Sequence, residues 1–325
     1  MAPAKLSLAL SHYDRHMPFL EGSVQPEGID LDVLFVGQSQ PLKNGSDRHE
    51  RMLQKGEFDV CEVSLSSYLM ARSRGMPFIA IPVFPRRLFS QSQMWVNTKA
   101  GIHFPGDLIG KTVGLSTFQT TLSVLAKGDL ETEYGVPWRQ IKWVVSKEET
   151  LPFKPQEGVS IRLAPEGKKM GRMLQEGSID ALFVPHPPKE ALQGAGGISR
   201  LFADPKQMEI DYYRKNGFYP IMHAVTFKEN VLREHPWAAR SIMDAFETAQ
   251  HLTKEFYDDP NWSSLVWGRH LFEEERKLFG ADPWTNGVKS NQPNLERFMS
   301  YSLDQGLMER PMSVEELFHS TTLQT

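Results

Sequence analysis

The segment Arg51–Val60, RMLQKGEFDV, returns at Arg172–Ala181 as RMLQEGSIDA. Each copy reads as a helix end, a glycine stop and the entry into a buried strand. The copies lie about 120 residues apart, too distant and too few for a stacked solenoid. They imply two similar α/β lobes. A chain of 325 residues is long enough for both, since domains run to roughly 100–200 residues.

Short apolar segments alternate with helical patterns along most of the chain. Strands are expected at Lys5–Leu10, Ile29–Phe35, Asp59–Val63, Ile79–Val83, Met94–Asn97, Thr112–Leu115, Ile141–Val145, Ala181–Val184 and Met222–Phe227. Helices are expected at Asp47–Lys55, Ser66–Arg74, Thr120–Tyr134 and Gly167–Glu176. This alternation predicts an α/β class with largely parallel sheets. The last hundred residues read as mainly helical. In Pro236–Tyr257 one apolar face carries Trp237, Ile242, Ala245, Phe246, Ala249, Leu252 and Phe256.

Charge excludes some classes of partner. With 36 basic and 40 acidic residues and a net charge of −4, no nucleic-acid or anionic-membrane footprint is expected. The single cysteine, Cys61, excludes a disulfide framework and a multi-cysteine zinc site. No apolar run reaches the roughly 18–20 residues of a membrane span. The apolar stretch Leu6–Leu10 is broken by Ser7 and too short for a secretory signal, so it reads as the first strand and the expected location is the cytoplasm.

Open α/β sheets bind ligands beyond the carboxyl ends of their strands. Two such lobes place a ligand in the cleft between them. Ser11, His12, Tyr13, Asp14 and Arg15 follow the first strand and form a candidate binding loop. Two helix starts follow strands, one with Ser64 and Ser66, the other with Ser116, Thr117, Thr120 and Thr121. Free N–H groups at such starts favour anions, so the pair suits a dicarboxylate; two ordinary helix caps are the plainer alternative. Arg86 ends another strand and is a candidate carboxylate clamp. Trp284, in Asp282-Pro283-Trp284, is a candidate wall for an aromatic ligand. His186 and His223 sit beside apolar strands, and with His12, Asp14 and Glu62 they supply imidazoles and carboxylates for acid–base work or for a divalent metal. Gly110-Lys111-Thr112 is no phosphate loop, because its first glycine is misplaced and a strand follows it.

Several stretches together resemble a known family: Arg51–Tyr68, Leu108–Tyr134, Gly217–His223, His235-Pro236-Trp237, Gly280–Val288 and Gln305–Phe318. They are similar to the 4,5-dihydroxyphthalate decarboxylases, relatives of the type 2 periplasmic-binding-protein fold. The resemblance implies a two-lobed fold, with lobe 1 built from 1–92 plus 223–325 and lobe 2 from 93–222. Met94–Asn97 and Met222–Phe227 would be its hinge strands.

It also implies a cytoplasmic enzyme that removes one carboxylate from 4,5-dihydroxyphthalate, leaving 3,4-dihydroxybenzoate. No redox cofactor is called for, and a divalent metal on the catechol edge is left open. The retained carboxylate needs an anchor from Arg15, Arg86 or Thr117/Thr120/Thr121. The phenol needs a base from His12, Asp14 or His223. The ring carbon needs a proton from a histidine or from Glu62, if burial raises its pKa. Tyr13, Ser64, Ser66, Ser116, His186 and Trp284 complete the expected substrate contacts. The partner is then a small aromatic acid, with a homo-oligomer open. The alternative is a leaderless solute-binding protein that holds an aromatic or dicarboxylate ligand without turnover.

Overall fold

The glycine in each copy of the repeated segment stops a helix in the left-handed region, Gly56 at φ 59° and Gly177 at φ 77°. A side chain there would be strained, which is why glycine recurs at this position. These helices, Arg48–Lys55 and Met170–Glu176, lead into β-strands at Val60–Ser64 and Ala181–Phe183. The repeated aspartate also does the same work twice. Asp59 accepts from the backbone N–H of Ser7 at 3.0 Å, and Asp180 from that of Thr112 at 2.8 Å, each tying the strand entry to its parallel neighbour.

The structure is a computed structural model that describes residues 2–37, 44–45, 47–194, 196–280 and 282–325. Eleven strands are named here in chain order: β1 (Ala4–Leu10), β2 (Ile29–Phe35), β3 (Val60–Ser64), β4 (Phe78–Arg87), β5 (Met94–Asn97), β6 (Thr112–Leu115), β7 (Lys142–Val145), β8 (Ile161–Leu163), β9 (Ala181–Phe183), β10 (Ile198–Arg200) and β11 (Ile221–Lys228). They form two sheets, ordered β2-β1-β3-β11-β4 and β10-β5-β9-β6-β7-β8. Neither sheet is wholly parallel. β11 runs antiparallel to β3, and β5 runs antiparallel to both β9 and β10. β8 and β10 escaped the sequence reading because each is a three-residue edge strand without an apolar run.

The chain divides into two units, one of 1–87, 223–295 and 312–325, the other of 88–222 and 296–311. In the first, Leu8, Leu10, Val60, Ile81, Val225 and Phe227 from the sheet pack with Ile242, Met243, Phe246 and Ala249 of helix Ala238–Phe256. Burying each large side chain contributes about 1.5–3 kcal/mol. The two ends of the expected apolar face are exceptions, because Trp237 and Phe256 are exposed.

The second unit takes the segment 296–311, which the family resemblance places in lobe 1. The reason is packing on helix Thr121–Tyr134. A Cβ on Gly128 would overlap the Tyr301 ring. Tyr301 also bonds Thr132 at 2.6 Å, and Trp138 donates to Asp304 at 2.9 Å. The chain passes between the units after Arg87, Met222, Leu295 and Pro311, so Met94–Asn97 lies inside the second unit rather than at a crossing.

Asp129, wholly buried in the second unit, gives a pH-dependent prediction. Its carboxyl accepts from Ser90 at 2.6 Å, Tyr301 at 3.3 Å and Tyr212 at 3.4 Å. Burial pushes its pKa up from 3.8 to about 7 against those hydrogen bonds. The folded state therefore holds a proton that the unfolded state releases. Stability is fully present below the unfolded value and falls as pH rises towards about 7. The interval corresponds to at most roughly 4 kcal/mol. Asp129→Asn should abolish this slope, gaining on the wild type between pH 5 and pH 8 in thermal unfolding midpoints. Parallel curves for the two proteins would contradict the assignment.

Candidate active site

β3 is the middle strand of the first sheet, and Glu62 and Ser64 lie on one of its faces. Antiparallel pairing sets His223 of β11 opposite Ser64 and diagonal to Glu62. That register brings the His223 Nδ1 into hydrogen-bond contact with Glu62 Oε1. Helix Arg48–Lys55 supplies the counter-charge. Arg48 Nη2 meets Glu62 Oε1 at 2.9 Å, its Nε donates to the Glu62 carbonyl at 2.7 Å, and its Nη1 donates to the Val36 carbonyl at 3.0 Å. Glu62 Oε2 accepts the Ser11 backbone N–H at 2.9 Å.

The electrostatics assign the protonation states. Burial alone would raise the Glu62 pKa, but the Arg48 guanidinium and the His223 hydrogen bond hold it well below the usual range. Glu62 is thus a carboxylate, which corrects its expected role as a proton donor. Burial pushes His223 down to about 4 against the pull of Glu62, so it is neutral at pH 7. His223 Nδ1 also lies 3.3 Å from Arg48 Nη2, but its shorter contact is to the Glu62 carboxylate oxygen, so Nδ1 carries the proton and Nε2 the lone pair. Glu62 orients a neutral imidazole.

His49 packs edge-on against His223, with ring centroids 5.1 Å apart. Its Nδ1 accepts the Ser64 N–H at 3.1 Å, so its own proton sits on Nε2. Arg86 makes no hydrogen bond or ion pair among the described residues, yet its charge lowers the pKa of both His49 and His223. Since Arg48 and Glu62 cancel, Arg86 is an unbalanced cation whose charge reaches this pair of imidazoles. Such a group suits an incoming carboxylate.

The loop after β1 is split in its roles. Ala9 is level with Cys61, so His12 leaves β1 at about the level of Ser64, on the opposite side of β3 from His223. Strand spacing puts the two backbones roughly 10 Å apart. His12 is exposed and rests against Phe35, ring centroids 4.9 Å apart. Asp14 is committed elsewhere. It accepts from Tyr257 at 2.5 Å and from the Arg15 N–H at 2.7 Å. Burial opposes ionisation, but these bonds and the Arg15 charge lower its pKa and keep it a carboxylate engaged with Tyr257 and Arg15. Arg15 donates to the Pro85 carbonyl at 2.5 Å and stacks on Tyr13 at 4.1 Å and Trp284 at 4.5 Å. Those three residues form a cation–π stack.

At the first helix start, Ser64 does not cap helix Leu65–Ser73 with its side chain, and Ser66 is fully buried. In the second unit, the expected anion site is filled from within. Glu149 accepts from the Phe118 N–H at 2.7 Å and the Gln119 N–H at 3.1 Å. Thr117 and Thr120 bond each other at 2.7 Å, Thr121 is buried, and Ser116 accepts from Ser146 through its carbonyl. That start is therefore a self-satisfied turn, with no vacant N–H pair at Phe118 and Gln119. His186 is exposed beyond β9.

No three His, Cys, Asp or Glu side chains are grouped for a metal among the described residues. Glu62 has both oxygens engaged and its charge cancelled by Arg48, which leaves it a poor ligand for a cation. No helix among the described residues is long and apolar enough to cross a membrane.

No family model matches the chain. A Comamonas testosteroni protein named 4,5-dihydroxyphthalate decarboxylase is 32% identical over 334 residues, covering 100% of this chain and 99% of its own length. The chain belongs to the 4,5-dihydroxyphthalate decarboxylase family. A Pseudomonas putida protein of the same name is 32% identical over 221 residues, covering 66% of this chain and 83% of its own. Among solved structures, the periplasmic sulfonate-binding protein of Methylobacillus flagellatus superposes with a TM-score of 0.59 at 13% identity, over 98% of this chain and 92% of its own. The aliphatic sulphonate binding protein of Escherichia coli gives 0.54 at 12% identity, over 99% and 100%. This family member therefore has the fold of the solute-binding proteins, as the sequence resemblance implied.

Two site residues of this decarboxylase-family chain went unnoticed in its sequence, Arg48 and His49. They open an amphipathic helix, yet both are buried where solvent exposure is usual. The available signal was the position of that helix, directly before a strand that carries an apolar-flanked Glu62.

Proposed function

We propose that this chain decarboxylates 4,5-dihydroxyphthalate to 3,4-dihydroxybenzoate, with its chemistry centred on His223. The observation that carries this reading is the buried contact of His223 Nδ1 with Glu62, itself paired with Arg48, and the charge of Arg86 that acts on the same imidazole supports it. The family supports the substrate, since both curated relatives bear that name.

Each carboxylate of this substrate is para to a phenol. His223 Nε2 removes the phenolic proton, and the oxygen lone pair pushes electron density to the para carbon. His12, the exposed imidazole across β3 from His223, protonates that carbon. The C–C bond then breaks, CO₂ leaves and the ring regains aromaticity as a phenolate, which takes its proton back from His223. One proton is consumed overall because a dicarboxylate becomes a monocarboxylate. No oxidation occurs, so this scheme calls for no redox cofactor. Arg86 anchors the retained carboxylate through charge-assisted hydrogen bonds. General acid–base assistance contributes about 10²–10⁴-fold.

The pH profile has a definite sign. His223 acts as a base only when neutral, so kcat/KM should fall as pH drops through about 4 and be flat on that limb up to neutrality.

Substrate comparison tests the reading. CO₂ release should be seen with 4,5-dihydroxyphthalate and not with phthalate, which lacks the phenols. Phthalate should compete, because it keeps the carboxylates that Arg86 would hold. Equal release from both, or release that stops with a chelator, would overturn the metal-free acid–base scheme.

A further inference from the structure

The exit from β1 is held by a residue that the reaction scheme does not yet use. His16 is 1% exposed, and its Nδ1 lies 2.8 Å from the Ser11 carbonyl oxygen. A nitrogen facing a carbonyl must carry the proton, so His16 donates there. The N–H of the same Ser11 donates to Glu62 Oε2 at 2.9 Å. Ser11 is therefore gripped from both sides, by His16 at its carbonyl and by Glu62 at its N–H. The next residue is His12.

The other side of the imidazole is the informative one. His16 Nε2 is buried and has no hydrogen-bond partner among the described residues. The ring packs edge-on to Phe246 at 5.8 Å between centroids. An orphaned buried acceptor costs about 1–3 kcal/mol. A leucine would fill this apolar place without that cost, and the Ser11 carbonyl would keep its second donor, the Tyr13 N–H at 3.1 Å. Stability alone gives no reason for a histidine here.

We infer that His16 is a positioning residue, which fixes the Ser11 turn so that its N–H stays on Glu62 and the Glu62–His223 pair keeps one orientation. The inference rests on the proposed catalytic role of His223. Its test carries one readout that does not need turnover.

Two variants separate the roles. His16→Leu keeps the bulk and removes the donor. His16→Asn keeps an N–H at nearly the Nδ1 position. For His16→Leu, kcat should fall about 10-fold or more, with KM within about two-fold. Its acid limb should move, and its thermal midpoint should stay level or rise. His16→Asn should restore most of kcat. In proton NMR, the low-field His223 Nδ1–H resonance should persist in the wild type and His16→Asn and broaden in His16→Leu. A sharp, unshifted resonance in His16→Leu would overturn the inference even if the protein proved inactive on 4,5-dihydroxyphthalate. Equal loss of stability and activity in both variants, with the pH limb unmoved, would reduce His16 to a packing role.

Discussion

His223→Gln should lower kcat for 4,5-dihydroxyphthalate at least 100-fold, while substrate still binds. Glutamine retains an N–H to give to Glu62, so the buried carboxylate keeps a donor and Arg48 keeps its ion pair at 2.9 Å. What disappears is the basic lone pair at Nε2. Glu62 itself is a poorer test. Removing its charge strands Arg48, a 1% exposed cation, and breaking one side of a buried pair costs about 3–5 kcal/mol. A Glu62 variant would confuse folding with chemistry. Near-normal turnover in His223→Gln would remove His223 from the scheme, and the same substitution at His12 would then decide whether the proton acceptor lies across β3.

Arg86→Gln should act on binding. Arg86 has no partner among the described residues to compensate for it or to be stranded by its loss, so the fold should be indifferent to the change. A hydrogen bond to a charged group is worth about 1.5–3 kcal/mol, which corresponds to a rise of roughly 10–150-fold in KM. Arg86→Lys should recover part of this, because a point charge replaces a planar fork. The wild-type KM should climb with ionic strength, and that dependence should flatten in Arg86→Gln. An unchanged KM would place the retained carboxylate elsewhere. Arg15 is then the next cation on this edge, although its guanidinium is already stacked between Tyr13 and Trp284.

Local grammar carried most of the fold. The glycine stops at Gly56 and Gly177 and the apolar runs of β1 to β7 are set by neighbours in the chain, and such features can be read directly. The antiparallel setting of β11 and the transfer of 296–311 to the second unit cannot, because they depend on which surface a segment meets in three dimensions. Tyr301 belongs to the second unit because Gly128 leaves room for its ring. The site divides along the same line. Glu62, Arg86 and His223 stand out as polar residues at apolar strand ends. The protonation of Glu62 was misjudged because its pKa depends on Arg48, 14 residues earlier and on another element. The turn at Thr117–Thr121 looked like an open anion site, and Glu149, about 30 residues later, occupies it.

The central claim is that this solute-binding fold carries out a reaction at the Glu62–His223 pair. The most direct measurement is a single turnover of 4,5-dihydroxyphthalate in D₂O, with CO₂ collected and the aromatic product analysed by mass and NMR. The expected result is 3,4-dihydroxybenzoate with one deuterium on the carbon that lost its carboxylate, formed by the wild type and not by His223→Gln. Saturable binding of unchanged 4,5-dihydroxyphthalate by the wild type, with no CO₂ released, would contradict the account and leave a protein that only binds aromatic acids.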